Sequence, residues 1–276
     1  MTEHASVQSW ARAYIESSDL NYKCAPPAPP EEWEDLGSLD LRPARPPELR
    51  VTHDKPRNFK LGALGNPETV AALHHKFWHH ELQAAELMCW GLLRFPETPL
   101  SFKKGLLSIF LDEVRHMSLY QTHIESLGFA LSDFPVRDWF WERVPTCQKA
   151  IEFVALLGMG LEGANLEHTA RFEKWFKTIA DDRAAQIQQQ VGLEEVGHVR
   201  FAIHWFHEWT GDIEFSAWCD ALPPPLTPLL MRGKTIHTER RLKAHFPQAF
   251  IDELANFQPE RPFKEGSTRK ERTSSP

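Results

Sequence analysis

Two short segments of this chain carry the pattern acid-Glu-Val-x-His: Asp112-Glu113-Val114-Arg115-His116 and Glu194-Glu195-Val196-Gly197-His198. On a helix, positions i and i+3 share a face, so each Glu meets its His on one side. A carboxylate and an imidazole so placed offer ligands to one metal ion. Two copies on neighbouring helices offer them to two ions. Glu113 to Glu195 and His116 to His198 are both 82 residues apart. A lone Glu-x-x-His is commonly a solvated accident on an amphipathic helix. The second copy, and the helices on which it falls, give the pattern its weight.

A bundle site for two metals also needs one carboxylate from each of two further helices. Glu81 and Glu86 lie in HHELQAAELM, and Glu162 and Glu167 in GLEGANLEH; each pair repeats at 81 residues. Glu81 has Phe77, Trp78, Ala84, Ala85 and Met88 at helical neighbour positions, an inward stripe. Glu162 has Ala155, Gly158, Met159 and Leu166, also inward, whereas Glu167 neighbours Arg171 and Lys174, which suggests solvent. The expected metal and catalytic set is therefore Glu81, Glu113, His116, Glu162, Glu195 and His198, with Glu86 in reserve. Four carboxylates and two imidazoles suit iron or manganese. Burying those carboxylates without a cation would be very costly. Asp112 and Glu194 are placed to hold the ligand histidines from behind, and Tyr120, one turn past His116, can approach the metals.

The elements that must position these groups are helical. Asn66-Pro67-Glu68 reads as a helix start, and Pro96 and Pro99 end that helix near Phe95. Further helices are expected at about Leu100–Leu127, Cys147–Ile179 and from Asp182 to about Thr210, before Gly211. The connector after Gly128 is too long for a tight turn, so it can cross the bundle. The expectation is an all-α, antiparallel four-helix bundle with one crossover. A last helical segment covers about Leu229–Phe257, interrupted near Pro247. Residues 1–65 are expected to form a short helix, around Ser6–Ser17, and a proline-rich arm that is extended over the core or partly disordered. Residues 66–257 would be the metal-binding bundle with its C-terminal helical extension, and 258–276 a disordered tail.

Other side chains carry weaker readings. His79 and His80 adjoin Glu81; one can line a pocket, with solvent the default. His74, His75, His204 and His207 read as surface or packed residues. Arg115 can pair with acids on a neighbouring helix, and Trp139 and Trp141 read as a lid or plug over one bundle end. Arg240-Arg241-Leu242-Lys243 reads as a solvated helix face. Tyr120 reads as a core tyrosine bonded to a carboxylate, ahead of a redox role.

The chain of 276 residues has 31 basic and 38 acidic side chains, a net charge of −7, and 42% hydrophobic residues. This is globular composition, and it argues against a coat for nucleic acid or anionic membrane. Four scattered cysteines form no Cys-x-x-Cys pair and fit reduced thiols. No secretory signal or spanning segment is visible, so a cytoplasmic protein is expected.

The segments HHELQAAELM, DEVRHMSLYQTHIESLGF, SDFPVRDWFWE and LEEVGHVRFAIHWF resemble a bacterial ferritin-like family known as domain of unknown function 455. RPARPPELRVTHDKPR resembles that family's stretch before the first helix, and the likeness covers about residues 40–215. The resemblance implies a ferritin-like bundle with a carboxylate-bridged dinuclear centre; it supplies no substrate. GLEGANLEHTARF departs from the family pattern, although Glu162 stands at the matching position. More distantly, the chain is similar to ferritin-like tRNA hydroxylases and to ribonucleotide reductase small subunits.

The resulting expectation is an oxidoreductase of the oxygenase or oxidase kind. Two Fe ions, or Mn/Fe, would use O2 as co-substrate to hydroxylate, desaturate or otherwise oxidise an organic molecule. Its partners would be a small-molecule or carrier-bound substrate and an electron donor, with a homodimer open and no membrane. Iron handling, ferroxidase activity or redox sensing is the alternative. A tRNA-modifying hydroxylase is a second, which the net negative charge weakly disfavours.

Overall fold

The computed structural model describes residues 4–54 and 59–259. Among them the regular structure is helical, and the only β pairing is one isolated bridge between Val51 and Val136. Two short helices, α1 (Val7–Glu16) and α2 (Leu20–Cys24), precede a long irregular stretch. The bundle follows: α3 (Pro67–Arg94), α4 (Leu100–Ser126), α5 (Ala150–Phe153), a π-helical segment (Val154–Glu162), α6 (Gly163–Thr178) and α7 (Asp182–Thr210). Three short helices close the described chain: α8 (Phe215–Ala221), α9 (Thr238–Lys243) and α10 (Gln248–Asn256). The single interrupted C-terminal helix expected from the sequence is thus several short pieces, and α8 was not foreseen. Most of the expected tail, from residue 260 onward, lies outside the described residues.

Local chemistry sets the long helices. Asn66 accepts a hydrogen bond from the Glu68 N–H, and Pro67 opens α3 where its missing N–H costs nothing. Asp181 caps α7 through the Ala184 N–H, and Gly211, at φ +84°, ends it in the left-handed region. On α4 the residues Phe102, Leu106, Ile109, Phe110, Glu113, His116, Met117, Tyr120 and Ile124 are buried, a stripe at three- and four-residue spacing. It packs on α3, and α6 packs on α7. Helix α3 is buried on nearly all sides, because α1 and the connectors cover its outer face. The connector after α4 buries His75, and α4 and α6 bury His74 against Tyr120, His123 and Phe176, although the sequence had placed both at the surface. His74 Nδ1 is 3.0 Å from the Val70 carbonyl and His75 Nε2 is 2.9 Å from that of Leu131.

The π-helical segment brings backbones close together. A Cβ on Gly158 would lie 2.3 Å from the Cβ of Ala202 on α7. A Cβ on Gly160 would lie 2.6 Å from Met231 Sδ. Wide π turns are rare and often mark functional positions; here the last π residue is Glu162.

Two buried carboxylates fasten the terminal segments to the bundle. Glu86 receives Lys23 Nζ at 2.7 Å, Arg45 Nη1 at 2.6 Å and Nη2 at 2.9 Å, and Trp141 Nε1 at 2.7 Å. Glu167 receives Arg241 Nε and Nη2, both at 2.8 Å, and the N–H groups of Gly233 and His237. Glu167 is therefore buried, and Arg241 is fully buried, contrary to the solvated readings of both. Arg240 is also buried and bonds Thr169 at 2.7 Å. Burial disfavours the Glu86 charge, but Arg45 and Lys23 outweigh it and hold its pKa below the usual value. Desolvation pushes Lys23 itself down. Arg45, which does not release its proton, is the cation that fixes the charge on Glu86.

Two predictions follow from this packing. Arg45→Met should cost about 3–5 kcal/mol in urea unfolding, because it removes the permanent cation beside Glu86; adding Glu86→Gln should restore part of the loss. With the Glu86 pKa depressed, its stabilising contribution is complete above the unfolded value of about 4.3. It fades only as pH falls through the lower folded value, which a pH series of melts can follow. Separately, Gly158→Ala should destabilise by about 1–3 kcal/mol, since Ala202 has no rotamer with which to yield. Gly197→Ala, where a Cβ meets nothing within 4 Å, should be neutral or stabilising. Equal melting of the two glycine variants would refute the close-approach reading.

Candidate metal centre

The six residues expected as ligands come from four helical segments. Glu81 is on α3, Glu113 and His116 on α4, Glu162 ends the π-helical segment, and Glu195 and His198 are on α7. All six are at most 5% exposed. Ligand atoms of Glu81, Glu113, His116 and Glu195 lie within 4.8 Å of one another. His198 adjoins them, its Nδ1 at 3.2 Å from Glu195 Oε2 and 3.1 Å from Glu113 Oε1. Glu162 sits beside Glu195 and raises its own pKa against that neighbour. The reserve carboxylate, Glu86, is one and a half turns along α3 and is engaged by Lys23, Arg45 and Trp141.

Each imidazole is held from behind by an acid on the opposite motif helix. His116 Nε2 is 2.7 Å from Glu194 Oε2, and His198 Nε2 is 3.2 Å from Asp112 Oδ2. The sequence placed these acids next to the ligands; the reciprocal exchange between α4 and α7 needed the fold. Arg115 joins both acids, at 2.7 Å to Glu194 and 2.6 Å to Asp112. Nε2 then carries the proton shared with the acid, and Nδ1 faces inward as a ligand atom.

The inward atoms are short of partners. Both oxygens of Glu113, Glu162 Oε1 and His116 Nδ1 are buried and have no hydrogen bond. His116 Nδ1 is 3.4 Å from Glu113 Oε2, a contact of distance without hydrogen-bond direction. Buried polar atoms are rarely left this way, because each costs about 1–3 kcal/mol. Oxygen and nitrogen lone pairs converging on one point are what a hard or borderline cation requires. The residues present fit a metal.

Protons mark the same convergence. Burial, and then the Glu113 charge, push the Glu81 pKa well up; burial and Glu195 do the same for Glu162. Burial also acts on Glu113, but His198 and His116 outweigh it and hold this carboxyl low. Burial opposes charge on His116, yet Glu113 and Glu194 raise its pKa to about 9. His198 is likewise raised by Glu195 and Glu113 against its burial. Glu194, bonded to His116, falls to about 2.

A cavity of about 580 Å³ lies between α3 and α6 and reaches Glu81 and Glu162. Its wall includes Phe77, Tyr120, Trp139, Phe140 and Leu161. Tyr120 OH accepts from Gln188 Nε2 at 3.2 Å, so its bonded partner is an amide where a carboxylate was expected. Burial and the Glu81 charge keep the phenol protonated. His79 and His80 both line the cavity; His79 is buried and contacts Asp138 at 3.2 Å, not solvent as expected. Trp139 lies on the wall, while Trp141 is a buried plug bonded to Glu86. His204 and His207 are exposed and away from the centre.

No helix among the described residues is long and apolar enough to cross a membrane. The four cysteines are free. No solved structure matches this chain. An uncharacterized protein of Haemophilus influenzae is 26% identical over 211 residues, covering 71% of this chain and 72% of that one. The model of a family described as a protein of unknown function, DUF455, matches residues 1–252, and the chain belongs to that family.

Proposed function

We propose that this chain is a ferritin-like, non-haem dinuclear iron protein that activates O2 to oxidise an organic substrate in the cavity. The observation that carries the proposal is a set of buried, unbonded carboxylate and imidazole atoms converging beside an apolar cavity. Glu81, Glu113 and His116 would hold one ion, and Glu162, Glu195 and His198 the other, with Fe/Fe or Mn/Fe loading. In this reading the connector between α4 and α5 is the crossover of the ferritin-like bundle, and the proline-bearing stretch of residues 25–54 is its covering arm.

The bound metals would supply the electrons and the Lewis acidity for O2 reduction, the chemistry that side chains alone lack. The chain's own contribution is positional. Asp112 and Glu194 orient the imidazoles and keep their Nε2 protons in place. Phe77, Trp139, Phe140 and Leu161 give the cavity beside Glu81 and Glu162 an apolar stretch against which a substrate body could pack. Tyr120 stands over Glu81 as a neutral phenol, a donor to a group bound in the cavity. The cavity with its aromatic wall favours an enzyme over iron storage, because a mineralising centre has no use for a small-molecule chamber.

Metal analysis of the purified protein should find about two Fe or Mn per chain. Glu113→Ala and His198→Ala should each lose most of it, and wild-type occupancy in both would reject the ligand assignment. Hundreds of irons per assembly would instead favour storage. Proton affinity is raised at Glu81, Glu162, His116 and His198, so metal must compete with protons there. Ferrous binding at pH 7 should therefore release protons and tighten as pH rises towards about 9, the His116 value. Calorimetry in buffers of different ionisation enthalpy measures the release; a zero or inward proton count would contradict this electrostatic picture.

A further inference from the structure

The cavity that ends on Glu81 and Glu162 has a second set of polar groups, which the metal centre does not use. Lys76 and His80 stand one turn apart on α3, and His168 and Arg171 one turn apart on α6. Lys76, His80 and His168 line the cavity. Arg171 is near enough for its charge to bear on both Lys76 and His168. Among the described residues, none of these four side chains makes an ion pair or a side-chain hydrogen bond, and Arg171 Nε is buried without a partner. Of the acids nearby, Glu167 is already saturated by Arg241 and two backbone N–H groups, Glu81 and Glu162 belong to the candidate metal centre, and Asp54, also on the wall, is exposed. Arg137, also on the wall, is engaged by Glu142 at 2.9 Å.

This arrangement is costly for an empty protein. Lys76 and Arg171 are half-buried cations with no anionic partner among the described residues, Arg171 resting over the Phe172 and Trp175 rings; such groups are ordinarily paired. Here burial, and then Arg171, lower the Lys76 pKa, and the same two influences bring His168 to about 4. Two helices contribute the groups from opposite walls, so they converge on one region of the cavity. The rest of the wall carries an apolar stretch that includes Phe77, Trp139, Phe140 and Leu161, and the volume of about 580 Å³ is that of a small-molecule site. A ligand carrying one negative head and an apolar body would satisfy both parts at once.

We propose that the cavity binds a small organic acid. Its carboxylate or phosphate is held by Lys76, His80 and His168 in the field of Arg171, and its apolar body lies along Phe77, Phe140 and Leu161 towards Glu81 and Glu162. The proposal deepens the oxidase reading and rests on it only for what happens at the metal end. The anion site stands on its own residues. Because the head is fixed at the α3–α6 wall, the part presented to the centre is the far end of the apolar body.

The test uses the full-length protein with its metal content measured first, titrated in a calorimeter with octanoate, octyl phosphate and 1-octanol. At least one of the anions should bind about tenfold or more tightly than the alcohol, a difference of about 1.4 kcal/mol. Lys76→Met and Arg171→Met should each bring anion affinity down towards that of octanol, with unchanged metal content and circular dichroism. Lys76→Arg should retain most of it. The proposal is overturned if neither anion binds, if octanol matches both, or if both methionine variants are folded and bind anions as the wild type does. Anion preference in a protein that holds no metal would leave this inference standing and reject the dinuclear centre; two metals per chain without anion preference would do the reverse. Whichever anion binds more tightly identifies the head group.

Discussion

A carboxylate taken out of water needs a counter-charge, a proton or a ring of donors, and most of this molecule can be read as the answer to that requirement. Six glutamates, at positions 81, 86, 113, 162, 167 and 195, are at most 5% exposed in one bundle. Left bare, each would cost several kcal/mol. The chain meets the cost in two ways. Glu86 and Glu167 receive permanent cations and N–H donors from outside the long helices. The other four face one another and two imidazoles, with protons as the only mobile charge available in the protein itself. A pair of divalent ions is the natural counter-charge for the second group and would be superfluous for the first.

The two halves of the bundle repeat this division. Glu81 and Glu162 are 81 residues apart, as are Glu86 and Glu167, and in each half the earlier glutamate turns inward while the later one is tied to a terminal segment. The ties differ in detail. Lys23 and Arg45 come from before the bundle, whereas Arg241 comes from after it. The terminal segments therefore do more than cover apolar surface. They neutralise the two outer carboxylates, which leaves the inner ones as the unsatisfied set.

How much of this was legible in the sequence depended on the range of the interaction. The helices carrying the motifs, the cap at Asn66 and the stop at Gly211 are short-range features, and the structure has them where local chemistry put them. The convergence of Glu81, Glu113, His116 and Glu195 followed from helix periodicity combined with the repeat. Glu167 misled because its helical neighbours Arg171 and Lys174 are polar, while the group that buries it, Arg241, lies 74 residues away on a short helix that read as a solvated face. Arg240 and Arg241 were misread for the same reason. His74 and His75 looked like a surface pair because nothing in their own helix shows that α4 and α6 will enclose one and the connector the other. The π-helical segment left only a faint trace, the small residues Gly158 and Gly160 in an otherwise bulky apolar run.

The centre is also asymmetric in a way that bears on how it works. On the α4–α7 side, two acids, two imidazoles and Arg115 form a closed exchange of hydrogen bonds that reaches the surface, where Arg115 is 43% exposed. On the α3–α6 side there is no such network; Glu81 and Glu162 open onto the cavity. The first side is rigid, since each imidazole is held by a helix other than its own. The second is permissive, since Glu162 Oε1 has no partner and a cavity lies beside it. A ligand carboxylate can shift towards or away from a bound metal only where nothing else holds it. In the proposed centre, the architecture would fix the two imidazoles and leave the freedom to the two carboxylates that face the chamber.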